Sequence, residues 1–283
     1  MPNHRFIIRA MTRQHVDFAI DWAAAEGWNP GLTDADCFHV ADPDGFLIGV
    51  LDEEPIAALS AVRYGDRFGF LGFYLVRPEY RGQGYGLQLW DAGLARLESR
   101  TIGLDGVLAQ QSNYQKSGFQ LAYRNIRYQG SGGGPVPGGA EIIPLSALGF
   151  DVLCAYDQPF FPGDRWQFLQ CWIAPPHRIA LGIQHQGQFV GYGVLRACRS
   201  GFKIGPLFAD RAEWAETLFL ALKAQAPAGA PLYLDIPEVN PAAVALAERH
   251  GMTVVFETAR MYRGQVPELP ISRLFGVTSF ELG

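Results

Sequence analysis

The apolar positions in the first half of the chain fall into short strand-like runs that alternate with helical patterns and turns. One run, Phe68–Val76, is followed by a turn at 77–80, a glycine-rich stretch and a helical pattern with Trp90 on its apolar face. The pattern predicts strands at 6–9, 46–51, 56–64, 68–76, 102–107 and 119–128, and helices at 12–23, 34–39, 85–97 and 114–117. Since a strand reached through a crossover helix runs parallel to its predecessor, this order predicts an α/β fold with a mixed α+β sheet.

The glycine-rich stretch between strand and helix reads Arg81-Gly82-Gln83-Gly84-Tyr85-Gly86. Glycine has no Cβ, so the backbone N–H groups can come close to an anion, and the helix N-terminus adds unpaired N–H groups and positive partial charge. This arrangement indicates a pyrophosphate site. A P-loop would end in Gly-Lys-Ser/Thr, and a dinucleotide fingerprint would carry an acid at the end of a second strand, whereas Asp105 stands inside one. The alternative is a turn that only joins strand to helix.

Two motifs resemble the GNAT superfamily of N-acetyltransferases. The segment from Val76 to Gly86 reads Val-x-Pro-x-Tyr-Arg-Gly-x-Gly-x-Gly and resembles the family's acyl-CoA pyrophosphate loop. The segment from Tyr114 to Phe119 matches its Tyr-x-x-x-Gly-Phe motif, and the predicted element order is the GNAT topology. The resemblance implies that acyl-CoA is the substrate donor. It implies a binding loop made by Gly82, Gln83, Gly84, Tyr85 and Gly86, with Arg81 as a nearby cation.

The same resemblance implies roles in acyl transfer. The strand before the loop is expected to part from its neighbour, so that a free N–H at Leu75 or Val76 meets the thioester oxygen. Tyr114 is expected to protonate the CoA sulfur, since a phenol with a pKa near 10 keeps its proton at neutral pH. The alternative for Tyr114 is aromatic packing at the base of the helix. No Ser-His-Asp or Cys-His arrangement is visible, so direct attack in a ternary complex is predicted.

The general base is not evident from the sequence. Many family members carry a glutamate on the strand before the loop, where this chain has Gly-Phe-Tyr at 72–74. Glu26, Asp105 and Tyr74 are the remaining candidates, and Glu26 and Trp28 are also candidates to shape the acceptor cleft. Asp105 could instead satisfy backbone donors and Trp28 could simply pack. An acceptor amine that is already neutral would need no base.

A Gly/Pro-rich linker at 131–139 divides the chain into a first unit, residues 1–130, and a second unit, residues 140–283. The second unit repeats the first in outline. At 205–211, where a glycine loop would stand, it carries Asp210, which is unfavourable for an anionic ligand. The chain therefore resembles bacterial tandem GNAT proteins with a degenerate, noncatalytic second unit, and the ending 275–283 adds to this resemblance. A segment just after the linker is expected either to line the acceptor pocket or to pack the units together: Tyr156, Asp157, Phe160, Phe161 and Arg165.

Composition limits the partners. The chain has 283 residues, 48% of them hydrophobic, and a net charge of -5 with interspersed acids and bases, which argues against a nucleic-acid surface. The cysteines Cys37, Cys154, Cys171 and Cys198 have no metal-ligand spacing and are predicted to be reduced thiols in a cytoplasmic protein without a metal. No apolar run predicts a membrane span or a signal peptide.

These features predict an N-acyltransferase that uses acyl-CoA, most simply acetyl-CoA, and acts on a small amine or a peptide N-terminus. One alternative is a noncatalytic sensor that binds acyl-CoA. Another is an aminoacyl or peptidyl transferase of tandem GNAT type, which would need a basic path for a tRNA that the charge pattern does not provide.

Overall fold

In the computed structural model, one mixed sheet of thirteen strands runs through residues 5–138 and 141–283, which are the residues described. The end of the predicted linker lies outside them. The first unit contains β1 (Phe6–Ala10), α1 (Arg13–Ala25), α2 (Asp34–Ala41), β2 (Phe46–Leu51), β3 (Glu54–Tyr64), β4 (Phe68–Val76), α3 (Tyr85–Arg96), β5 (Thr101–Val107), α4 (Gln111–Lys116) and β6 (Gln120–Ser131). The second contains β7 (Glu141–Pro144), α5 (Phe150–Asp157), α6 (Trp166–Trp172), β8 (Arg178–His185), β9 (Gln188–Ala197), β10 (Phe202–Ala209), α7 (Ala212–Lys223), β11 (Pro231–Pro237), α8 (Pro241–Arg249), β12 (Thr253–Arg263) and β13 (Leu274–Gly276).

The predicted α/β fold with a mixed sheet is confirmed. The strand order is β1-β2-β3-β4-β5-β12-β6-β11-β10-β9-β8-β7, with β13 beside β10. As expected for a crossover, β5 runs parallel to β4, and β11 runs parallel to β10 in the second unit. Thr12 caps α1 as predicted, since its side chain accepts a hydrogen bond from the His15 N–H. Sequence analysis assigned no elements to 141–185, where the structure has β7, α5, α6 and β8.

The two units exchange one strand each. Strand β12 of the second unit lies between β5 and β6, and β6 of the first unit lies between β12 and β11. All of these contacts are antiparallel, and β6 pairs with β11 along its length from Asn125 to Ser131. Backbone hydrogen bonds between strands therefore join the two predicted units. The boundary between the units at 131–139 stays a prediction.

Helices cover the sheet of the first unit on both faces. On one face α3 packs its buried Leu89 and Trp90 against the strands. On the other face α2 meets α6 of the second unit, where the rings of Phe38 and Trp172 stack with centroids 5.8 Å apart. The helices near the site are thus held by residues from both units.

A disulfide joins the same two helices. Cys37 of α2 and Cys171 of α6 are bonded with their Cα atoms 5.3 Å apart and 134 positions apart in the chain, whereas Cys154 and Cys198 are free. The prediction of reduced thiols is wrong for the bonded pair. Their proximity arises from tertiary packing between units, and no local spacing could have shown it.

Reduction of this disulfide is expected to lower the free energy of unfolding by about 3–5 kcal/mol, because the bond closes a very long loop in the unfolded chain. Denaturant titration with and without dithiothreitol measures the difference. The double variant Cys37→Ala/Cys171→Ala is the control and should not respond to the reductant. An unchanged wild-type midpoint would contradict a stabilising cross-link.

Candidate active site

A cavity opens where strands β4 and β5 part. Their parallel pairing stops at Leu71 and Leu104, although both strands continue for several residues. A register shift between β3 and β4 lies at the same level, and Phe73 there has a positive φ of 48°, which marks a bulge. The cavity has a volume of about 510 Å³.

Most of the predicted site residues meet in this cavity. Those that line it are Glu26, Trp28, Tyr74, Leu75, Val76, Arg81, Gly82, Gly84, Gly86, Asp105 and Tyr114. Gln83 and Tyr85 do not line it, and the Gln83 side chain donates to the Glu79 carbonyl within the turn. Sequence reasoning missed the lining residues of the second unit, which are Phe256, Thr258, Phe280 and Glu281. These four residues are about 180 or more positions from β4 in the sequence, and no local sequence pattern indicates that they lie beside it.

The glycine loop has the backbone that an anion site needs. Gly82 and Gly84 have φ angles of 74° and 86°, which glycine adopts readily. Helix α3 begins at once after Gly84, so its first N–H groups lack helical partners and carry positive partial charge. A Cβ at Gly86 would lie 2.8 Å from Tyr74 Oη and 2.9 Å from Val76 Cγ2, so glycine lets the helix start lie directly against β4. These features fit a pyrophosphate.

Arg81 and Glu26 lie next to each other in the wall of this cavity. The Arg81 Nε donates to the Val76 carbonyl at 2.8 Å, and its guanidinium forms an ion pair with Glu26. Both side chains are partly exposed. Glu26 is therefore paired with the loop cation, which makes it a weak candidate for the general base.

The backbone of Val76 faces the opening. The Arg77 N–H donates to the Ile56 carbonyl of β3 at 2.9 Å, and Val76 lies opposite Ala57. Hydrogen-bonding direction alternates along an antiparallel pair, so the N–H of Val76 points away from β3 and toward the gap. By the same alternation the N–H of Leu75 points toward β3. Of the two predicted donors, Val76 has the suitable direction.

Tyr114 lies in the cavity wall. Its side chain is 7% exposed, its ring centroid is 5.5 Å from that of Trp90, and a Cβ on Gly106 would overlap the ring. Burial raises the pKa of Tyr114, with a further contribution from Tyr74. The phenol therefore stays protonated throughout the physiological range and is available as an acid. Burial likewise raises the pKa of Tyr74, with help from Asp91, which disfavours Tyr74 as a base.

Asp105 is held by the exchanged strand. Its two oxygens accept hydrogen bonds from the Arg260 guanidinium of β12 at 2.6 and 2.8 Å, and Asn125 Nδ2 donates to it at 2.8 Å. With both oxygens engaged, Asp105 fixes β12 beside β5, and its contacts do not favour a catalytic base.

Trp28 lines the cavity, and its backbone carbonyl accepts a hydrogen bond from Arg127 at 2.6 Å.

In the second unit, the chain itself fills the corresponding gap. Strands β10 and β11 pair in parallel only as far as Ile204 and Leu234. Beyond that point β13 pairs with β10, and the Val277 N–H donates to the Asp235 carbonyl of β11 at 2.8 Å. Helix α7 follows β10 without a glycine turn, and Asp210 at this place binds Tyr156 and Arg273.

The segment after the linker packs the units together. None of Tyr156, Asp157, Phe160, Phe161 and Arg165 lines the cavity. Asp157 and Arg165 form a buried ion pair at 2.7 Å, and Phe161 lies edge-on against Tyr64 of the first unit with ring centroids 4.6 Å apart. Of the two expectations for this segment, the packing role is the one that the contacts favour.

Two family models match the chain in tandem. Residues 10–119 match the acetyltransferase (GNAT) family, and residues 153–276 match an acetyltransferase (GNAT) domain. The holothin acyltransferase of Pseudoalteromonas sp. (strain SANK 73390) is 32% identical over 263 residues, which cover 93% of this chain and 90% of that protein. An uncharacterized N-acetyltransferase of Bacillus subtilis (strain 168) is 27% identical over 64% of each chain.

Solved structures share the fold. A crystal structure from Pyrococcus horikoshii that is classed with the acetyltransferases aligns with a TM-score of 0.82 at 22% identity, covering 98% of this chain and 96% of that one. A tandem GNAT protein from the clavulanic acid biosynthesis pathway aligns with a TM-score of 0.63 at 14% identity, covering 93% and 100%. At these identities the likeness concerns architecture.

Residues 5–138 and 141–283 contain no helix that is both long and apolar enough to span a bilayer. They also contain no cluster of three or more His, Cys, Asp or Glu side chains suited to a metal ion. The cavity, the tandem family matches and the full-length relative agree: the chain is a tandem member of the GNAT acetyltransferase family and an acyltransferase.

Proposed function

We propose that the chain transfers an acyl group, most simply acetyl, from acyl-CoA to a small amine by direct attack in a ternary complex. The observation that carries this proposal is the cavity between β4 and β5, which has the glycine loop and Tyr114 in its wall. The same arrangement supports the sequence-based assignment of the loop as the donor site.

The proposed roles follow from the geometry. The N–H groups at the start of α3, together with the backbone of 82–86, bind the pyrophosphate. The N–H of Val76 points into the gap and polarises the thioester carbonyl. Tyr114 gives its proton to the sulfur as the thiolate leaves. Arg81 stays near the phosphates, while Glu26 and Val76 orient its guanidinium.

The acceptor site is proposed to be the part of the cavity with aromatic walls. Trp28, Phe256 and Phe280 all line the cavity, and all three contact Arg127. Flat apolar walls suit a compact aromatic or heteroaromatic amine better than an extended peptide N-terminus. The Pseudoalteromonas relative carries the name holothin acyltransferase, so holothin is one candidate acceptor for this chain as well.

The second unit is proposed to be noncatalytic. Its gap between β10 and β11 is occupied by β13, and Asp210 stands where the phosphates would bind. A cytoplasmic location also remains a proposal, since the disulfide removes the argument that was based on reduced cysteines.

Calorimetric titration with acetyl-CoA, followed by a thiol-release assay with a panel of aromatic and aliphatic amines, tests the proposal. We expect one site per chain, micromolar affinity and turnover with at least one amine. Two sites per chain would contradict a noncatalytic second unit. Binding without turnover on any amine would favour the sensor, and absence of binding would overturn the proposed donor site.

A further inference from the structure

A buried glutamate near position 283 lines the cavity, and one of its carboxylate oxygens has no hydrogen-bond partner among the described residues. Glu281 is 3% exposed, and its Oε1 atom accepts no hydrogen bond from any residue that the structure describes. A buried charged group that lacks a hydrogen bond destabilises a fold, so it calls for an explanation, and a catalytic role is one of them. The position of Glu281 in the cavity wall gives that ligand access.

The backbone carbonyl of Glu281 lies where a side chain at Gly72 of β4 would otherwise be. A Cβ built at Gly72 would overlap the Glu281 backbone oxygen and would lie 2.9 Å from Ser60 Oγ. Strand β4 itself carries no acid here, since positions 72–74 are Gly-Phe-Tyr. The 277–283 segment thus places Glu281 directly against this part of β4, and Glu281 lines the cavity there.

The cationic side chains around Glu281 form their hydrogen bonds with other residues. Arg127 of β6 donates to Asp235 of β11 at 2.6 and 2.8 Å, and Lys203 of β10 donates to the Asn29 carbonyl at 2.9 Å. Arg196 of β9 forms an ion pair with Asp34. All three cations act on Glu281 through space, but none forms a hydrogen bond with it. Their partners leave the Glu281 carboxylate available to a ligand.

The segment that carries Glu281 is fixed on both sides. The Tyr64 hydroxyl donates to the Leu282 carbonyl at 3.1 Å, and the Leu282 N–H donates to Ser279 Oγ at 3.1 Å. On the other side, Arg165 Nη1 donates to Thr278 Oγ1 at 3.0 Å. A carboxylate on such a segment is held in place before the substrate arrives, as catalysis requires.

We infer that Glu281 is a catalytic residue that binds the acceptor ammonium ion and removes its proton; this inference rests on the proposed function. The ammonium ion gives one proton to the Glu281 carboxylate, and the freed nitrogen lone pair attacks the thioester carbon. As the tetrahedral intermediate collapses, the C–S bond breaks and the sulfur takes the Tyr114 proton. The nitrogen loses its second proton to water, which reprotonates Tyr114. Glu281 then releases its proton to solvent, leaving an amide, free CoA and one proton.

The variant Glu281→Gln tests the inference with acetyl-CoA and the best amine from the panel. We expect kcat to fall about 100-fold while the Kd for acetyl-CoA stays unchanged. The remaining activity should rise tenfold per pH unit up to the pKa of the amine itself, because only amine that is already neutral can react. Wild-type activity should not show this tenfold rise per pH unit, because the bound ammonium ion can give its proton to Glu281.

The control is Glu268→Gln on the exposed surface, which should behave as wild type. If Glu281→Gln does not fold, as judged by acetyl-CoA binding, Glu281→Asp keeps the charge but withdraws the carboxylate, and a partial loss of kcat is expected. Wild-type kcat per folded molecule in either variant would overturn the inference and leave Glu281 as a counter-charge to the buried cations. Wild-type protein that neither binds acetyl-CoA nor transfers acetyl would instead refute the proposed function.

Discussion

Replacing Gly84 with aspartate is expected to raise the Kd for acetyl-CoA at least 100-fold, which corresponds to about 2.7 kcal/mol. Gly84 is the N-cap of α3, and a Cβ at this position meets no atom within 4 Å, so the new carboxylate has room to stand at the proposed phosphate site. A negative charge about 4–5 Å from a phosphate costs roughly 3–4 kcal/mol at an effective dielectric constant near 20. Calorimetric titration measures the loss directly.

The matched control is Gly187→Asp. Gly187 also has a positive φ, 76°, and its Cβ would likewise meet no atom within 4 Å, but it lies in the turn between β8 and β9. Both variants pay the same backbone cost for a side chain in the left-handed region. Equal affinity of the two variants for acetyl-CoA would show that the loop does not hold the pyrophosphate.

Replacing Tyr114 with phenylalanine is expected to lower kcat by tens-fold or more while the Kd for acetyl-CoA stays within a factor of about two. The ring keeps its packing on Trp90 and Gly106, so the change removes the proton donor and little else. Steady-state kinetics with acetyl-CoA gives kcat. With a thioester whose thiol leaves as a stable anion, Tyr114→Phe should lose less activity than with acetyl-CoA, because the leaving sulfur needs no proton.

Tyr123→Phe is the control for Tyr114→Phe. Tyr123 is also a buried tyrosine, but it does not line the cavity. Since burial raises the pKa of Tyr114, wild-type activity should show no alkaline loss from this residue below about pH 10. Full activity of Tyr114→Phe would assign Tyr114 to packing alone.

The sequence was most informative where structure depends on neighbouring residues. Strand β4 was predicted at its observed bounds because its apolar run is uninterrupted and ends at a turn containing proline. The glycine loop was identified because positive φ angles and an open helix start demand glycine at Gly82 and Gly84. Local pattern and local geometry coincide there.

Features that depend on the partner of a segment could not be predicted. The apolar residues of β6 and β12 indicate strands, but they do not indicate which strands they pair with. The bond between Cys37 and Cys171 and the approach of Glu281 to Gly72 join residues that are far apart in the chain. Each arises from the packing of one unit on the other, which no motif records.

The exchange of β6 and β12 makes the two units depend on each other for folding. Without β12, strands β5 and β6 would face each other across a missing strand, and their unpaired backbone edges would be prone to aggregation. Without β6, the same would hold for β11 and β12. Although the chain contains two GNAT units, each acquires a complete sheet only when the other has folded, so the second unit is as necessary to the cavity between β4 and β5 as the first.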